Sequence, residues 1–466
     1  MPFQEAGSDW LALSPRAMLA WEPGVGKTPT AVRACVKVSA RRILVICPPI
    51  ATSVWRRHFE DWSNYRDIRV LDAVNSLKPY TFMEGTGVRI VAYSRVNTSE
   101  SVVKAAMKRG WDVAILDEGH YLKNPEALRT QRVYGKKHDL VGGPLEKAAF
   151  VWVLTGTPVL NHPAEFWPHL HALAVDTIKA QGAKPFTYDQ FVDRYCVAHD
   201  TPYGRRIVGA KNIHELAGKI AWFMDRKRIA DVIKDLPPLR IVDHPLPADT
   251  YVNPNLRKEL AEAIAQSGFD EALDDDTLLA AVQAGGVAFS TVRRLIGLAK
   301  IEAVADLVMD MLDDSDDDKI IVFAHHRDVV NGLAEQLKKH KALVIHGGTS
   351  PVNRDAAIDL FQNDPKYRLI ILAIEAAGES ITLHASHNVI IAEPSPVPMK
   401  NAQAIARAYR RGQRNAVLAR FVLLPGTLDA RLMAIIARKT RDIAKLLDGA
   451  SEPSPLLTGA EFPDDQ

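Results

Sequence analysis

Two closely spaced glycines run into a lysine and a threonine at residues 21–30, WEPGVGKTPT, where Gly24, Val25, Gly26, Lys27 and Thr28 are consecutive. An apolar run at 17–20 precedes the stretch and a helical pattern at 31–38 follows it, so it falls on a strand-to-helix turn. Glycine accepts positive φ and lets backbone N–H groups point inward, and a helix N-terminus favours anionic oxygen. In that setting Lys27 reaches the β and γ phosphates of a nucleotide and the Thr28 hydroxyl meets Mg²⁺. Trp21 stands where the usual G-x-x-x-x-G-K-T pattern has its first glycine. Alone, the segment also reads as a Gly-rich turn with an exposed lysine.

A second constellation removes most of that ambiguity. The apolar run 111–116 leads straight into Asp117, Glu118, Gly119 and His120. An acidic pair at the carboxyl end of a strand lies where open α/β sheets present ligands, beside the phosphate loop of the first strand. Asp117 is expected to hold Mg²⁺ and Glu118 to polarise an attacking water. A further strand at 149–154 ends in Thr155, Gly156, Thr157 and Pro158, small hydroxyl residues suited to coupling the carboxylates to a neighbouring lobe, or to an ordinary structural turn. Near the C-terminus, Arg407 and Arg410 are three apart, share one face if helical, and can both approach a polyphosphate. A guanidinium at the γ phosphate accelerates other nucleotide hydrolases by orders of magnitude.

Elements that must carry these residues alternate along the chain. Expected strands at 42–47, 68–71, 87–92, 111–116 and 149–154 form one α/β unit, and 319–324, 342–345, 369–373, 388–392 and 419–424 a second. Helices are expected at 3–13, 53–62, 163–173, 187–195 and 214–228, with a hairpin or basic loop at 203–206. Residues 236–239, LPPL, read as a rigid linker. The expected domains are 1–239, with a helical extension at about 163–235, and 240–449, with a helical insertion at about 256–312; 450–466 is expected to be disordered.

With 466 residues, 47% hydrophobic and 24% charged, the chain exceeds one core and reads as globular. A net charge of +2 neither demands nor forbids nucleic acid; pairs such as Arg226-Lys227 and Arg293-Arg294 each read as solvated faces. Three cysteines without metal-ligand spacing suit a reducing compartment, and the acidic run 313–318 lacks the pattern of a calcium loop. No apolar run spans a membrane and no secretory signal opens the chain. A cytoplasmic protein of bacterial or phage origin, acting as a monomer, is the expectation.

Taken in order, the motifs resemble a Swi/Snf-type ATPase of helicase superfamily two, nearest its HARP-related annealing-helicase branch, over roughly residues 2–440. The carriers are PFQEAG at 2–7, GVGKT, DEGHYLKN, LTGTPVLN, FVDRYC, IIVFAHH, IHGGTSPVNRDAAIDLF, AIEAAGESITLHAS and QAIARAYRRGQ. The resemblance implies two RecA-like, doubly wound α/β lobes with helical insertions and a P-loop NTPase site using ATP and Mg²⁺. It assigns Gln4 to the adenine side, places Gln403 with the nucleotide, makes Lys27, Asp117, Glu118, Arg407 and Arg410 catalytic, and gives Thr28 and Asp117 to the metal. His120, Thr155, Gly156, Thr157, Gly378, Ser380, Thr382 and Gln413 fall at coupling or DNA-side positions. Trp21, Ser380 and Ala406 depart from the family pattern without removing a catalytic group. The implied activity is translocation on double-stranded or forked DNA, independent of its sequence, to remodel or reanneal DNA or displace bound protein. The rivals are a single-strand-translocating DNA or RNA helicase and a non-enzymatic DNA-binding module with a degenerate nucleotide site.

Overall fold

Continuous Ile- and Val-rich runs form strands where helices cover both faces of a sheet, because a one-sided sheet would leave alternate side chains in water. The computed structural model describes residues 1–448 apart from 72–78, 136–144, 157, 159–161, 181–185, 202–203, 248–253, 268–274, 284–286 and 377–380. It divides into two compact units, essentially Met1–Val232 and Ile233–Ala444. In the first, β1 (Arg16–Trp21), β2 (Arg42–Cys47), β3 (Ile68–Leu71), β4 (Gly87–Ala92), β5 (Val113–Asp117) and β6 (Phe150–Leu154) are followed by a hairpin, β7 (Cys196–Thr201) and β8 (Gly204–Ala210), and by β9 (Met224–Lys227). The described strands of its main sheet are all parallel, in the order β3-β4-β2-β5-β6-β1-β9.

The second unit repeats the plan with β10 (Leu239–Pro245), β11 (Ile320–Ala324), β12 (Leu343–Ile345), β13 (Leu369–Ala373), β14 (Asn388–Ile391) and β15 (Val417–Leu423). Its sheet is also parallel, ordered β10-β15-β14-β11-β13-β12. Every residue of β11, β13 and β14 is buried, as are all of β4 and β5. Two doubly wound α/β units are therefore present, as the alternation of elements requires.

One expected helix is replaced. Residues 214–228 do not run as a single helix: Ile213–Ile220 is helical, the chain turns, and 224–227 becomes β9, paired with β1 from Met18↔Met224 to Trp21↔Lys227. The segment MDRK shows no apolar alternation because it is an edge strand, and its side chains find polar partners instead. The acidic pair is also not on the strand next to β1. β6 lies between β1 and β5, so residues 155–156 emerge between the phosphate loop and Asp117.

The helix Pro2–Leu13 is placed by close approach to Trp21. Proline at its first turn fits the fixed φ, and Gly7, Ser8 and Leu11 face inward. A Cβ on Gly7 would lie 2.5 Å from the Trp21 ring, so only glycine lets the helix settle on the indole. Phe3 packs on the same ring at 5.9 Å, and the indole N–H donates to Asp225 Oδ2 at 2.8 Å. Trp21 is completely buried, and it joins the N-terminal helix to the edge strand.

Candidate nucleotide-binding and hydrolysis site

β1 ends at Trp21 and the helix Lys27–Lys37 begins six residues later, so 22–26 form the turn. Gly24 and Gly26 both take positive φ, 86° and 97°; Gly26 is the left-handed cap residue, and no side chain caps the helix. A Cβ on Gly26 would come within 2.1 Å of Gln4 Nε2. That amide donates to Val25 O at 3.0 Å, so the N-terminal helix holds the loop through Gln4. Pro29 sits in the first helical turn, where an N–H has no intrahelical partner to lose.

Lys27 Nζ donates to Trp21 O at 2.8 Å and Glu22 O at 3.4 Å. Burial pushes its ammonium below the usual lysine range, and Glu118 and Asp117 oppose that shift. Lysine and acidic pair are thus within electrostatic reach at one end of the sheet, with Thr28 half-buried on the next helical position. Asp117 and Glu118 are both buried. Burial first, and Glu118 second, raise the Asp117 carboxyl to about 6.

Three donors fix Asp117: Trp55 Nε1 to Oδ2 at 2.7 Å, the Glu118 N–H to Oδ1 at 3.0 Å, and Tyr93 OH to the backbone carbonyl at 3.0 Å. Glu118 itself adopts left-handed backbone angles, φ 49° and ψ 57°, a conformation that non-glycine residues take at some energetic cost and that concentrates at functional sites. His120 Nδ1 lies 3.1 Å from Glu118 Oε2. Beneath this turn His169 is buried and meets Tyr134 OH at 2.8 Å, and burial drives its pKa down to about 3.

Thr155 is buried and its N–H donates to Leu19 O at 3.0 Å; Gly156 O accepts from Arg226 Nη1 at 3.1 Å. The same nitrogen of Arg226 donates to Ala20 O at 2.8 Å, and Nη2 faces the buried Glu22 at 3.6 Å. Arg226 is therefore no solvated charge: it ties the end of β1 to the residues after β6. The Arg293 expectation fails in the same way, since that buried guanidinium donates to Pro394 O at 2.9 Å. Neither Arg226 nor Trp55 stands out by sequence. A short polar strand hides the first, and an apolar helix face hides the second among Val54, Phe59 and Trp62.

In the second unit the helix Pro398–Ile405 carries Gln403, half-buried, and stops before the arginines. Arg407 and Arg410 thus occupy a turn, not one helical face. Arg407 O accepts from Leu383 N at 2.8 Å and Arg410 Nη1 donates to Ile381 O at 3.0 Å, so this turn holds the loop on either side of Thr382. Desolvation lowers the Arg410 pKa. The buried Gln413 amide donates to Ser386 O at 2.8 Å and accepts from Arg414 N and Asn415 N, which commits it to backbone. Thr157, Gly378 and Ser380 lie outside the described residues, as does the tail 450–466.

Residues 3–244 match the model of the SNF2-related domain, and residues 299–412 that of the helicase conserved C-terminal domain. The chain belongs to the SNF2-related family. It is an ATP-hydrolysing enzyme of helicase superfamily two, and the reading as a degenerate binding module is set aside. Among curated relatives, DNA annealing helicase and endonuclease ZRANB3 of Mus musculus is 30% identical over 468 residues, covering 97% of this chain and 41% of the relative. The SWI/SNF-related matrix-associated actin-dependent regulator of chromatin subfamily A-like protein 1 of Xenopus tropicalis is 27% identical over 454 residues, covering 95% and 44%. The chain thus spans less than half the length of these relatives, and the name of the first bears out the likeness to the annealing-helicase branch. A Sulfolobus solfataricus SWI2/SNF2 ATPase core solved in complex with dsDNA is 20% identical, covers 92% of this chain and 88% of that one, and has a TM-score of 0.43; the family assignment rests on the domain matches.

These relatives correct one expectation. A cytoplasmic protein of bacterial or phage origin is overturned, because the named relatives are animal proteins, several of them by name regulators of chromatin. Among the described residues no helix is long and apolar enough to cross a membrane.

An SNF2-type ATPase domain implies ATP and Mg²⁺, and the residues present fit both. The left-handed Gly26 leaves no room for a side chain beside Gln4, the helix start is uncapped, and one lysine faces two buried carboxylates.

Proposed function

We propose that this chain is an ATP-driven translocase on double-stranded or forked DNA, which remodels or reanneals DNA or displaces bound protein. Residues 1–239 act as the ATP-binding lobe and 240–449 as the second lobe. The observation that supports this most is Lys27, half-buried on an uncapped helix start and electrostatically opposed to Asp117 and Glu118. A motor of this type holds triphosphate by positioning and charge, and the Mus musculus relative is by name a DNA annealing helicase.

In turnover Lys27 exchanges the Trp21 and Glu22 carbonyls for phosphate oxygens. Thr28 and Asp117 would hold Mg²⁺, which would neutralise charge developing on the phosphates. Glu118 orients and polarises the attacking water. Arg407 and Arg410 act on the γ phosphoryl. Thr155 and Gly156, tied to β1 through Arg226 and Leu19, pass changes at the phosphate loop to the rest of the lobe. DNA is held by contacts to phosphate, which makes binding sensitive to salt and indifferent to sequence.

Steady-state ATP turnover measured at matched salt without polymer and with single-stranded DNA, duplex, fork and RNA tests this reading, with Lys27→Ala and Glu118→Gln as controls. Duplex or fork is expected to stimulate most, and a melted bubble to be reannealed. Stimulation by single strands alone, with displacement of a plain flanked duplex, would replace it with a conventional helicase.

A further inference from the structure

Trp55 is 1% exposed and belongs to the helix Thr52–Trp62, which follows β2 after the bend at Pro48 and Pro49. β2 pairs with β5, so this helix passes the end of the strand that carries Asp117. A buried indole N–H needs an acceptor. Trp55 takes a carboxylate, at 2.7 Å, when ordinary backbone carbonyls serve the buried Trp111 and Trp152 at 3.2 and 3.1 Å. The other Asp117 oxygen is claimed by the Glu118 N–H, so each carboxylate oxygen has one donor and the plane of the group is set. Each oxygen keeps a second lone pair for a cation.

We propose that Trp55 is a positioning residue for Mg²⁺-nucleotide binding: its indole N–H orients the Asp117 carboxylate so that the carboxylate meets the metal without rearranging. The inference rests on the reading of Asp117 as a Mg²⁺ ligand. Donors behind a ligating group fix its direction, and their loss commonly lowers metal affinity roughly 10–100-fold. Trp55 makes no contact with nucleotide in this role, so binding of nucleotide without metal should not depend on its N–H.

The test is calorimetric titration of ADP into the whole chain, with EDTA and then with graded Mg²⁺. Three variants are compared: Trp55→Phe, a benzothienylalanine at position 55 that keeps the ring shape but replaces N–H by sulfur, and Asp117→Asn. Trp55→Phe and the sulfur analogue are expected to raise the Mg²⁺ concentration at half-effect by about tenfold, leaving affinity in EDTA within twofold, while Asp117→Asn removes the Mg²⁺-dependent gain. ATP turnover should show the same split, a raised apparent KM for Mg²⁺ with kcat recovered at high Mg²⁺. If Asp117→Asn shifts the Mg²⁺ response and the sulfur analogue does not, the positioning role is wrong and the ligand assignment survives. If Asp117→Asn leaves the response unchanged, the ligand assignment falls and the inference falls with it. Loss in EDTA as large as in Mg²⁺, seen in Trp55→Phe but not in the analogue, would make Trp55 a packing residue only.

Discussion

The two units use the same doubly wound sheet and treat the equivalent strand-to-helix turn in opposite ways. In the first, β1 runs into a glycine loop and a helix that no side chain caps, with Lys27 at its start. In the second, β11 runs into His325 and His326, and the helix begins at Arg327. There the buried Glu393 carboxylate accepts from the N–H groups of His325 and His326 at 3.0 and 2.9 Å, and from the His326 ring at 2.8 Å. The second unit supplies its own anion where the proposed site of the first would take a phosphate. A fold that presents N–H groups at a strand end must satisfy them somehow, and a single glutamate decides whether that end is a structural joint or a phosphate site.

The largest effects should fall on turnover. Glu118→Gln in the first unit and Arg407→Ala in the second are each expected to lower kcat by on the order of 10³-fold in a duplex-stimulated ATPase assay. Glu118→Gln should leave nucleotide affinity nearly intact. Equal loss from both units supports a shared reaction; unchanged turnover in Arg407→Ala would confine the chemistry to the first.

Glu393→Leu tests the joint directly. Leaving two half-buried N–H groups without their acceptor should cost about 2 kcal/mol, seen in denaturant unfolding, while calorimetric nucleotide affinity stays unchanged. Gly26→Ala, the matching change in the first unit, meets both positive φ and the Gln4 amide and should cost about 2 kcal/mol; unlike Glu393→Leu, it should also weaken nucleotide binding in the same titration.

The smallest effect is one of pH. Buried His169 stays neutral in the folded chain, with its pKa lowered to about 3, while the unfolded chain takes up a proton near the ordinary histidine value. Stability from this group is therefore complete above pH 6.5 and declines as pH falls toward 3. By pH 5.5 the decline should be about 1.4 kcal/mol. Melting curves of His169→Phe should show a correspondingly shallower acid slope.

What could be read from sequence was whatever depends on local chemistry. Gly24, Gly26, Lys27 and the 117–118 pair needed only a turn, a strand end and their own side chains, and the structure brings them to one end of one sheet. Arg226 and Trp55 escaped because their importance lies in partners 206 and 62 residues away. Polar content disguised β9 as the end of a helix, since an edge strand needs no apolar alternation. Spacing likewise put Arg407 and Arg410 on a helical face, but the helix stops at Ile405, and the Arg407 backbone and the Arg410 side chain are held by the chain's return past Leu383 and Ile381.

Because β9 is reached only after the hairpin and the helix Ile213–Ile220, one edge strand of the first unit's main sheet is also the tether of its extension. Tension on the hairpin would arrive at a four-residue ribbon whose arginine clasps Ala20 and Gly156 together. Under the translocase reading proposed above, load on the hairpin would reach the end of the lobe that carries Lys27 through the backbone itself.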